Sequence, residues 1–117
     1  MGVDTFMTAC LADTQGGYYQ QADPFGNAGD FITAPEISGL FGEMCGLYLA
    51  HIHDLAGSPE DAAIIELGPG RGTLMRDMRH VWSQLMPAMT GLPIHFLETG
   101  HELRRLQASN VQTDKIK

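Results

Sequence analysis

Basic residues are scarce in this 117-residue chain, which has 7 lysines and arginines against 14 aspartates and glutamates and a net charge of −7. No lysine precedes Lys115. A surface this acidic repels phosphate backbones, so we expect no nucleic-acid partner. Long apolar runs are also missing. None approaches the roughly 18 residues that a membrane-spanning helix needs, so we expect no membrane span.

Cysteine is limited to Cys10 and Cys45, and the chain has no CxxC pair. Two cysteines do not form a disulfide framework, and both lie on apolar helical faces, so we predict buried free thiols. The histidines are scattered and give no converging set of ligands, so we predict no metal site. The N-terminus lacks the basic and apolar segments of a signal peptide. These features together predict a cytoplasmic, reducing location.

Helical periodicity dominates the first half of the chain. Residues 4–13 are predicted as a short helix, followed by an aromatic-rich loop over residues 14–32. The segment Thr33-Ala34-Pro35-Glu36 matches a capping box at the start of a long helix that ends at Gly57. The predicted apolar face of that helix, which we expect to be buried, consists of Ile37, Leu40, Phe41, Met44, Leu47, Tyr48, Ile52 and Leu55.

The length of the chain allows one small domain and not two. Residues 1–61 are predicted to form N-terminal helices and a loop, and residues 62–117 to begin an α/β domain. An apolar strand over residues 62–67 leads into a glycine cluster and a helix, and a second strand and a last helix follow. Strand, helix, strand is the right-handed parallel unit of α/β folds. We therefore predict an α/β, Rossmann-like fold, of which the chain holds about two parallel strands flanked by helices.

The glycine cluster, Gly68-Pro69-Gly70-Arg71-Gly72, lies where the first strand turns into the following helix. Glycine permits positive φ angles and lets a ligand approach the backbone, while the helix N-terminus adds unpaired N–H groups. In open α/β sheets, ligands bind outside the carboxyl ends of the strands. The cluster is therefore predicted to bind a nucleotide-like ligand, although a plain tight turn would use the same glycines.

Spacing and charge around the cluster indicate which ligand it binds. Dinucleotide-binding loops have their third small residue where this chain has Thr73, and no GxxxxGK[ST] phosphate loop occurs. Glu66, in the first strand, would repel a pyrophosphate but suits a ligand with an ammonium group. Glu98, at the end of the second strand, can accept hydrogen bonds from ribose hydroxyls, as acids in NAD enzymes do. These features favour S-adenosylmethionine and leave a nicotinamide-dependent oxidoreductase as the alternative.

Several segments of the chain together form a pattern that is more specific than the glycine cluster alone. They are Gly17-Tyr18-Tyr19, Asp23-Pro24-Phe25-Gly26, Gly29-Asp30-Phe31-Ile32-Thr33-Ala34-Pro35-Glu36-Ile37-Ser38, Leu40-Phe41-Gly42-Glu43 and Glu66-Leu67-Gly68-Pro69-Gly70-Arg71-Gly72-Thr73-Leu74-Met75. In this combination the chain resembles the MidA-type methyltransferases, the family that includes the mitochondrial complex I assembly factor that methylates arginine. The resemblance continues through residues 95–99 and 103–107 and so covers nearly the whole chain.

The resemblance implies a class I methyltransferase fold with S-adenosylmethionine as the cofactor and a protein substrate, for which a complex I subunit is one candidate. It also implies a mitochondrial location for the eukaryotic relatives. Members of the family run to several hundred residues, so this chain is expected to be an N-terminal portion that binds the cofactor weakly and transfers no methyl group alone. A non-catalytic interaction module is the second alternative.

The residues and the resemblance together predict a set of cofactor-binding positions but identify no catalytic residue. By the resemblance, the segment over residues 29–36, here called the signature segment, is a signature of the family. Thr33 and Glu36 in it can simply cap a helix, which makes Asp30 the stronger candidate there. The side chain of Arg71 can contact either the carboxylate of the ligand or solvent. The predicted cofactor-binding residues are Glu66, Gly68, Pro69, Gly70, Arg71, Gly72, Glu98, Asp30 and Thr33.

Overall fold

The computed structural model of the chain describes residues 1–21, 32–111 and 115–116. Helices dominate the first half of the described chain, and strands alternate with helices in the second. In chain order the elements are α1 (Val3–Ala12), α2 (Tyr18–Gln21), α3 (Ala34–Ile37), α4 (Gly39–Leu55), β1 (Ile64–Leu67), α5 (Thr73–Leu85), α6 (Pro87–Thr90), β2 (Ile94–Leu97), α7 (His101–Asn110) and β3 (Lys115–Ile116).

The strands form one parallel sheet in the order β1-β2-β3. The register of β1 and β2 runs from Ile64 opposite Ile94 to Leu67 opposite Leu97. The predicted α/β, Rossmann-like topology is confirmed, because parallel neighbours in the sheet are joined by helices that cross over it. The strand β3 is an addition to the two predicted strands, and its two residues are too few to show a periodicity.

The core lies between the sheet and α5. Trp82, the only tryptophan, is fully buried on α5, and its indole N–H donates a 2.8 Å hydrogen bond to the carbonyl of Gly46 in α4. This bond satisfies the one polar atom of a large apolar side chain and fastens α4 to α5. The buried hydrophobic cluster comprises Ala50, Met75, Met78, Val81, Trp82, Met89, Leu92, Ile94, Phe96 and Val111.

Helix α4 packs against α5 through its small residues, Gly42, Gly46 and Ala50, which are buried at a spacing of four. A Cβ atom at Gly46 would lie 2.8 Å from Val81 Cγ1 and 3.0 Å from Met78 Cα, so the helices approach each other more closely than a larger residue would allow. The predicted buried face of α4 is therefore wrong in large part. The large apolar residues of this face that are exposed include Leu40, Phe41, Met44, Tyr48, Ile52 and Leu55.

Two helices replace the single helix predicted to start at Thr33. The short helix α3 ends at Ile37, and the next residue, Ser38, accepts a 3.2 Å hydrogen bond from the Leu40 N–H at its Oγ and so caps α4. The predicted capping box is wrong, because the Thr33 side chain makes no cap hydrogen bond and the Glu36 side chain bonds to Thr73 instead. The predicted start of the last helix is confirmed, with Gly100 as the N-cap of α7.

Helix α1 contributes no residue to the core, and its apolar residues Phe6 and Met7 are exposed. Cys10, on this helix, is also exposed, while Cys45 on α4 is half-buried. The prediction of free thiols is confirmed, but their predicted burial is wrong for Cys10 because α1 does not enter the core. None of the helices in the described segments is long and apolar enough to cross a membrane.

Candidate functional site

The glycine cluster forms the loop between β1 and α5, and its three glycines have positive φ angles, +62° at Gly68, +56° at Gly70 and +79° at Gly72. Residues with a side chain rarely adopt this left-handed conformation. The positive φ angles agree with the role that the sequence predicts for these glycines. A Cβ atom at Gly68 would meet nothing within 4 Å, whereas one at Gly72 would lie 3.0 Å from Val111 Cγ2. Gly68 therefore borders open space that a ligand can enter, and Gly72 packs against the interior.

Two cavities meet at this glycine loop. The first, here called the Glu66 cavity, has a volume of about 290 Å³, and the second, the Glu98 cavity, about 200 Å³. Gly68 and Gly70 line both of them, so a ligand that lies across the loop can occupy both. Glu66, in β1, lines the first cavity, and Glu98, the residue after β2, lines the second. Both cavities lie at the carboxyl edge of the sheet, where open α/β folds bind ligands.

Glu66 places a carboxylate in the first cavity. Its Oε2 atom is buried and has no hydrogen-bond partner among the described residues. Burial raises the pKa of the Glu66 carboxyl from 4.5 to about 7. A buried carboxylate oxygen without a donor is unfavourable, because it has lost its hydration and gained no hydrogen bond. A ligand that carries a cationic or N–H group would remove this penalty.

Glu98 has an exposed fraction of 9% and faces the second cavity. Its Oε1 atom accepts a 2.8 Å hydrogen bond from the N–H of Gly100, and its Oε2 atom accepts a longer one, 3.4 Å, from Nε2 of Gln107. Each carboxylate oxygen can accept about two hydrogen bonds, so each keeps one acceptor position. Glu98 thus supports the start of α7 and still has acceptors for a ligand.

Helix α3 contacts the glycine loop through Glu36. The Thr73 hydroxyl donates a 2.5 Å hydrogen bond to Glu36 Oε1, and Arg71 Nη1 lies 3.9 Å from Glu36 Oε2. Thr33 and Pro35 line the Glu66 cavity beside this contact. The sequence pattern assigned Glu36 a capping role and so missed a contact that joins the signature segment to the loop.

Gln107, on α7, is a second residue that the sequence reasoning missed. It is fully buried, and its Nε2 atom donates a 2.6 Å hydrogen bond to the carbonyl of Gly70 and the longer bond to Glu98. Asn110, one turn further on, donates a 3.1 Å bond from Nδ2 to the carbonyl of Arg71. The available signal was a polar residue four positions after the buried Leu103, on the same helical face.

The structure brings most of the predicted site residues together. Gly72 stands behind the loop and lines neither cavity, and Asp30 lies outside the described residues. Within the described ranges, no group of three or more His, Cys, Asp or Glu side chains could hold a metal ion. Predicted residues that line the Glu66 cavity are Glu66, Gly68, Pro69, Gly70, Arg71 and Thr33, and those that line the Glu98 cavity are Glu98, Gly68 and Gly70.

Comparison with known proteins places this geometry in a family. Residues 44–117 match the family described as "Putative S-adenosyl-L-methionine-dependent methyltransferase". The mitochondrial protein arginine methyltransferase NDUFAF7 homolog of Drosophila melanogaster is 42% identical over 106 residues, which are 91% of this chain and 24% of that protein. The human protein arginine methyltransferase NDUFAF7 is 35% identical over 116 residues, 97% of this chain and 26% of that protein. The chain spans about a quarter of the length of these relatives.

A solved structure agrees with the sequence comparison. The crystal structure of a COG1565 superfamily member from Burkholderia thailandensis, bound to S-adenosyl-homocysteine, superimposes with a TM-score of 0.79 at 27% identity, covering 94% of this chain and 28% of that one. This likeness confirms the predicted Rossmann-like methyltransferase fold and gives no support to a nicotinamide-dependent oxidoreductase or a non-catalytic module. With its glycine loop between two acidic cavities, the chain belongs to the S-adenosyl-L-methionine-dependent methyltransferase family.

Proposed function

We propose that this chain is the S-adenosylmethionine-binding portion of an enzyme that methylates arginine in a protein. The observation that carries the proposal is the placement of two carboxylates, Glu66 and Glu98, in cavities that share Gly68 and Gly70. S-adenosylmethionine has an amino-acid ammonium at one end and a ribose near the other, and no phosphate. Its chemistry therefore matches an acid on each side of a glycine loop whose own sequence contains no lysine.

The Glu66 cavity fits the amino-acid end of the ligand. The unpartnered Oε2 atom of Glu66 would accept a hydrogen bond from the ammonium, and this bond would stabilise the charged form of the carboxylate. The Arg71 side chain lines the same cavity and would contact the ligand carboxylate. When bound, S-adenosylmethionine supplies an electrophilic methyl group on its sulfonium. The role of these residues is to orient the ligand.

The Glu98 cavity fits the ribose. The two acceptor positions that remain on the Glu98 carboxylate match the two ribose hydroxyls, which are both donors. Tyr19 and Leu103 add an aromatic and an apolar wall to this cavity, which suits a purine base beside the sugar.

The protein substrate is inferred from the relatives, whose names describe protein arginine methyltransferases of mitochondria. The assignment to the MidA type and a complex I subunit as the substrate rest on the sequence resemblance alone. A cytoplasmic location for this chain is supported by its two free thiols, Cys10 and Cys45, which are typical of a reducing compartment. The division into residues 1–61 and 62–117 likewise stays a proposal from the sequence.

Titration of the isotope-labelled chain with S-adenosylhomocysteine and, separately, with NAD tests the proposal by NMR. We expect S-adenosylhomocysteine to shift the amide signals of Gly68, Gly70 and Gly100 saturably, and NAD to leave them unchanged. Glu98→Gln removes the charge that accepts the ribose bonds and should weaken binding about tenfold. Glu102→Gln, a matched change at an exposed position, should bind as the unchanged chain does. Binding of NAD alone would refute the proposal.

A further inference from the structure

We infer that Gln107 is a positioning residue for ribose recognition, which holds the Glu98 carboxylate and the glycine loop in a fixed relation to each other. The inference rests on the proposed function, because it concerns the same ligand. Gly70 belongs to the loop after β1 and Glu98 follows β2. The backbones of these two segments are joined by the Gly68 N–H, which donates a 2.9 Å hydrogen bond to the Leu97 carbonyl, but this bond does not orient the Glu98 side chain. The side chain of Gln107 contacts both.

The orientation of the Gln107 amide follows from its partners. Nε2 donates a 2.6 Å hydrogen bond to the Gly70 carbonyl and a 3.4 Å bond to Glu98 Oε2, and both partners are pure acceptors. Rotating the amide by half a turn would bring its own oxygen against these acceptors, which is repulsive. An NH2 group has two donors, so one side chain satisfies both contacts at once.

Stability alone does not account for a glutamine at this position. Gln107 is fully buried, and its Oε1 atom has no hydrogen-bond partner among the described residues. An apolar residue of similar length would avoid that unfavourable burial. Such a replacement would instead affect the site, because the Gly70 carbonyl and Glu98 Oε2 would both lose their hydrogen-bond donor. Of the hydrogen bonds named here, the Glu98 carboxylate would keep the one from the Gly100 N–H.

The rest of α7 has its own anchors. The side chain of Leu103 is buried, and Asn110 donates its hydrogen bond to the carbonyl of Arg71. Replacing Gln107 by methionine, which has nearly the same length, therefore leaves the packing of the helix in place. The change isolates the two hydrogen bonds of the amide from the apolar contacts of its stem.

The test compares the affinities of Gln107→Met and the unchanged chain for S-adenosylhomocysteine and for its 2′-deoxy analogue. We expect Gln107→Met to weaken binding of S-adenosylhomocysteine about tenfold. We also expect its preference for S-adenosylhomocysteine over the deoxy analogue to fall to less than half that of the unchanged chain, since a misplaced Glu98 no longer distinguishes the hydroxyl. Gln84→Met, the same change at an exposed position of α5, should alter neither affinity. A purely structural role would lower both affinities equally and leave the preference unchanged.

Signals from the unchanged chain give a second measurement that does not depend on the folding of a variant. The side-chain NH2 signals of Gln107 should shift when S-adenosylhomocysteine is added, and those of Gln84 should not. If the unchanged chain binds the ligand while neither the Gln107 signals nor the ribose preference respond, the inference is overturned and the proposed function stands. If the unchanged chain does not bind the ligand, the proposed function itself fails.

Discussion

Thr73 and Glu36 are joined by a 2.5 Å hydrogen bond, although 37 positions separate them in the chain. The donor is the first residue of α5 and the acceptor lies in α3, so the bond ties the signature segment to the end of the glycine loop. Arg71 lies on the other side of the same carboxylate, at 3.9 Å. The Glu36 side chain thus joins α3 to two residues, Arg71 and Thr73, that line the Glu66 cavity.

A double-mutant cycle tests the energy of this bond. Glu36→Ala and Thr73→Val should each lower the free energy of unfolding, and their combination should show a coupling of about 1–2 kcal/mol, because the bond is short and its acceptor is charged. Urea denaturation measures all four free energies. Thr90→Val is the matched control, since the Thr90 hydroxyl bonds only locally to the carbonyl of Pro87. A coupling of Thr73 with Glu36 no larger than that of Thr90 would contradict the expectation.

The raised pKa of Glu66 predicts a pH-dependent stability. The pKa is about 7 in the folded chain against a usual 4.5, so the folded state holds a proton that the unfolded state has released across this interval. The free energy of unfolding should therefore fall as the pH rises through this interval and level off above it. Glu66→Gln should remove this fall and, at about pH 8, be more stable by about 2 kcal/mol, a value reduced for partial exposure.

The same substitution should have the opposite effect on ligand binding. An ammonium bonded to Glu66 favours the ionised carboxylate, so the affinity for S-adenosylhomocysteine should rise between about pH 5 and pH 8. Glu66→Gln should bind more weakly at about pH 8 and lose this pH dependence. Glu60→Gln, at an exposed position, is the control for loss of one charge. A variant that is more stable and binds equally well would show that Glu66 does not contact the ligand.

The sequence was sufficient for features that depend on neighbours in the chain. The glycine loop follows from an apolar run that ends in closely spaced glycines, and the positive φ angles at Gly68, Gly70 and Gly72 bear this out. The placement of Glu66 and Glu98 at one edge of the sheet follows from the parallel order of β1 and β2. Local pattern and sheet topology together therefore locate the candidate site.

Features that depend on contacts between residues far apart in the chain could not be predicted from the sequence. The sequence assigned the Glu36 side chain a capping role, and only the fold places Thr73 within hydrogen-bonding distance of it. Gln107 has a polar side chain, which hydropathy alone places at the surface. It is buried because the Gly70 carbonyl and the Glu98 carboxylate, both distant in sequence, accept hydrogen bonds from its amide. For α4, hydropathy predicts that the large apolar residues are buried. The close approach of α5 instead buries the small residues Gly42 and Gly46.

Substitution of Gly46 tests the close approach of α4 and α5. An alanine inside a helix normally stabilises by about 0.5–1 kcal/mol relative to glycine. Here its Cβ would lie 2.8 Å from Val81 Cγ1, and overpacking costs about 1–3 kcal/mol, so Gly46→Ala should destabilise. Gly39→Ala is the control, because its Cβ would make an ordinary 3.5 Å contact with Asp77. Urea unfolding followed by the fluorescence of the buried Trp82, which bonds to Gly46, should show a lower midpoint for Gly46→Ala and an unchanged midpoint for Gly39→Ala.

Three glycine-to-alanine substitutions separate conformational strain from packing at the glycine loop. Gly91 has a negative φ of −86° and open space around it, so Gly91→Ala should leave the free energy of unfolding nearly unchanged. Gly57 has a φ of +87° and open space, so Gly57→Ala should lose about 1–2 kcal/mol from strain alone.

Gly72 combines both penalties, because its φ is +79° and a Cβ would lie 3.0 Å from Val111 Cγ2 and 3.5 Å from Phe96 Cε2. Gly72→Ala should therefore lose more than Gly57→Ala, in total about 2–4 kcal/mol. Urea denaturation of the three variants under one condition measures the order. Equal losses for Gly57→Ala and Gly72→Ala would mean that the Val111 side chain moves aside without cost. In that case packing would not hold the rear of the loop, and its hydrogen bonds, such as those with Gln107, Asn110 and Leu97, would hold it instead.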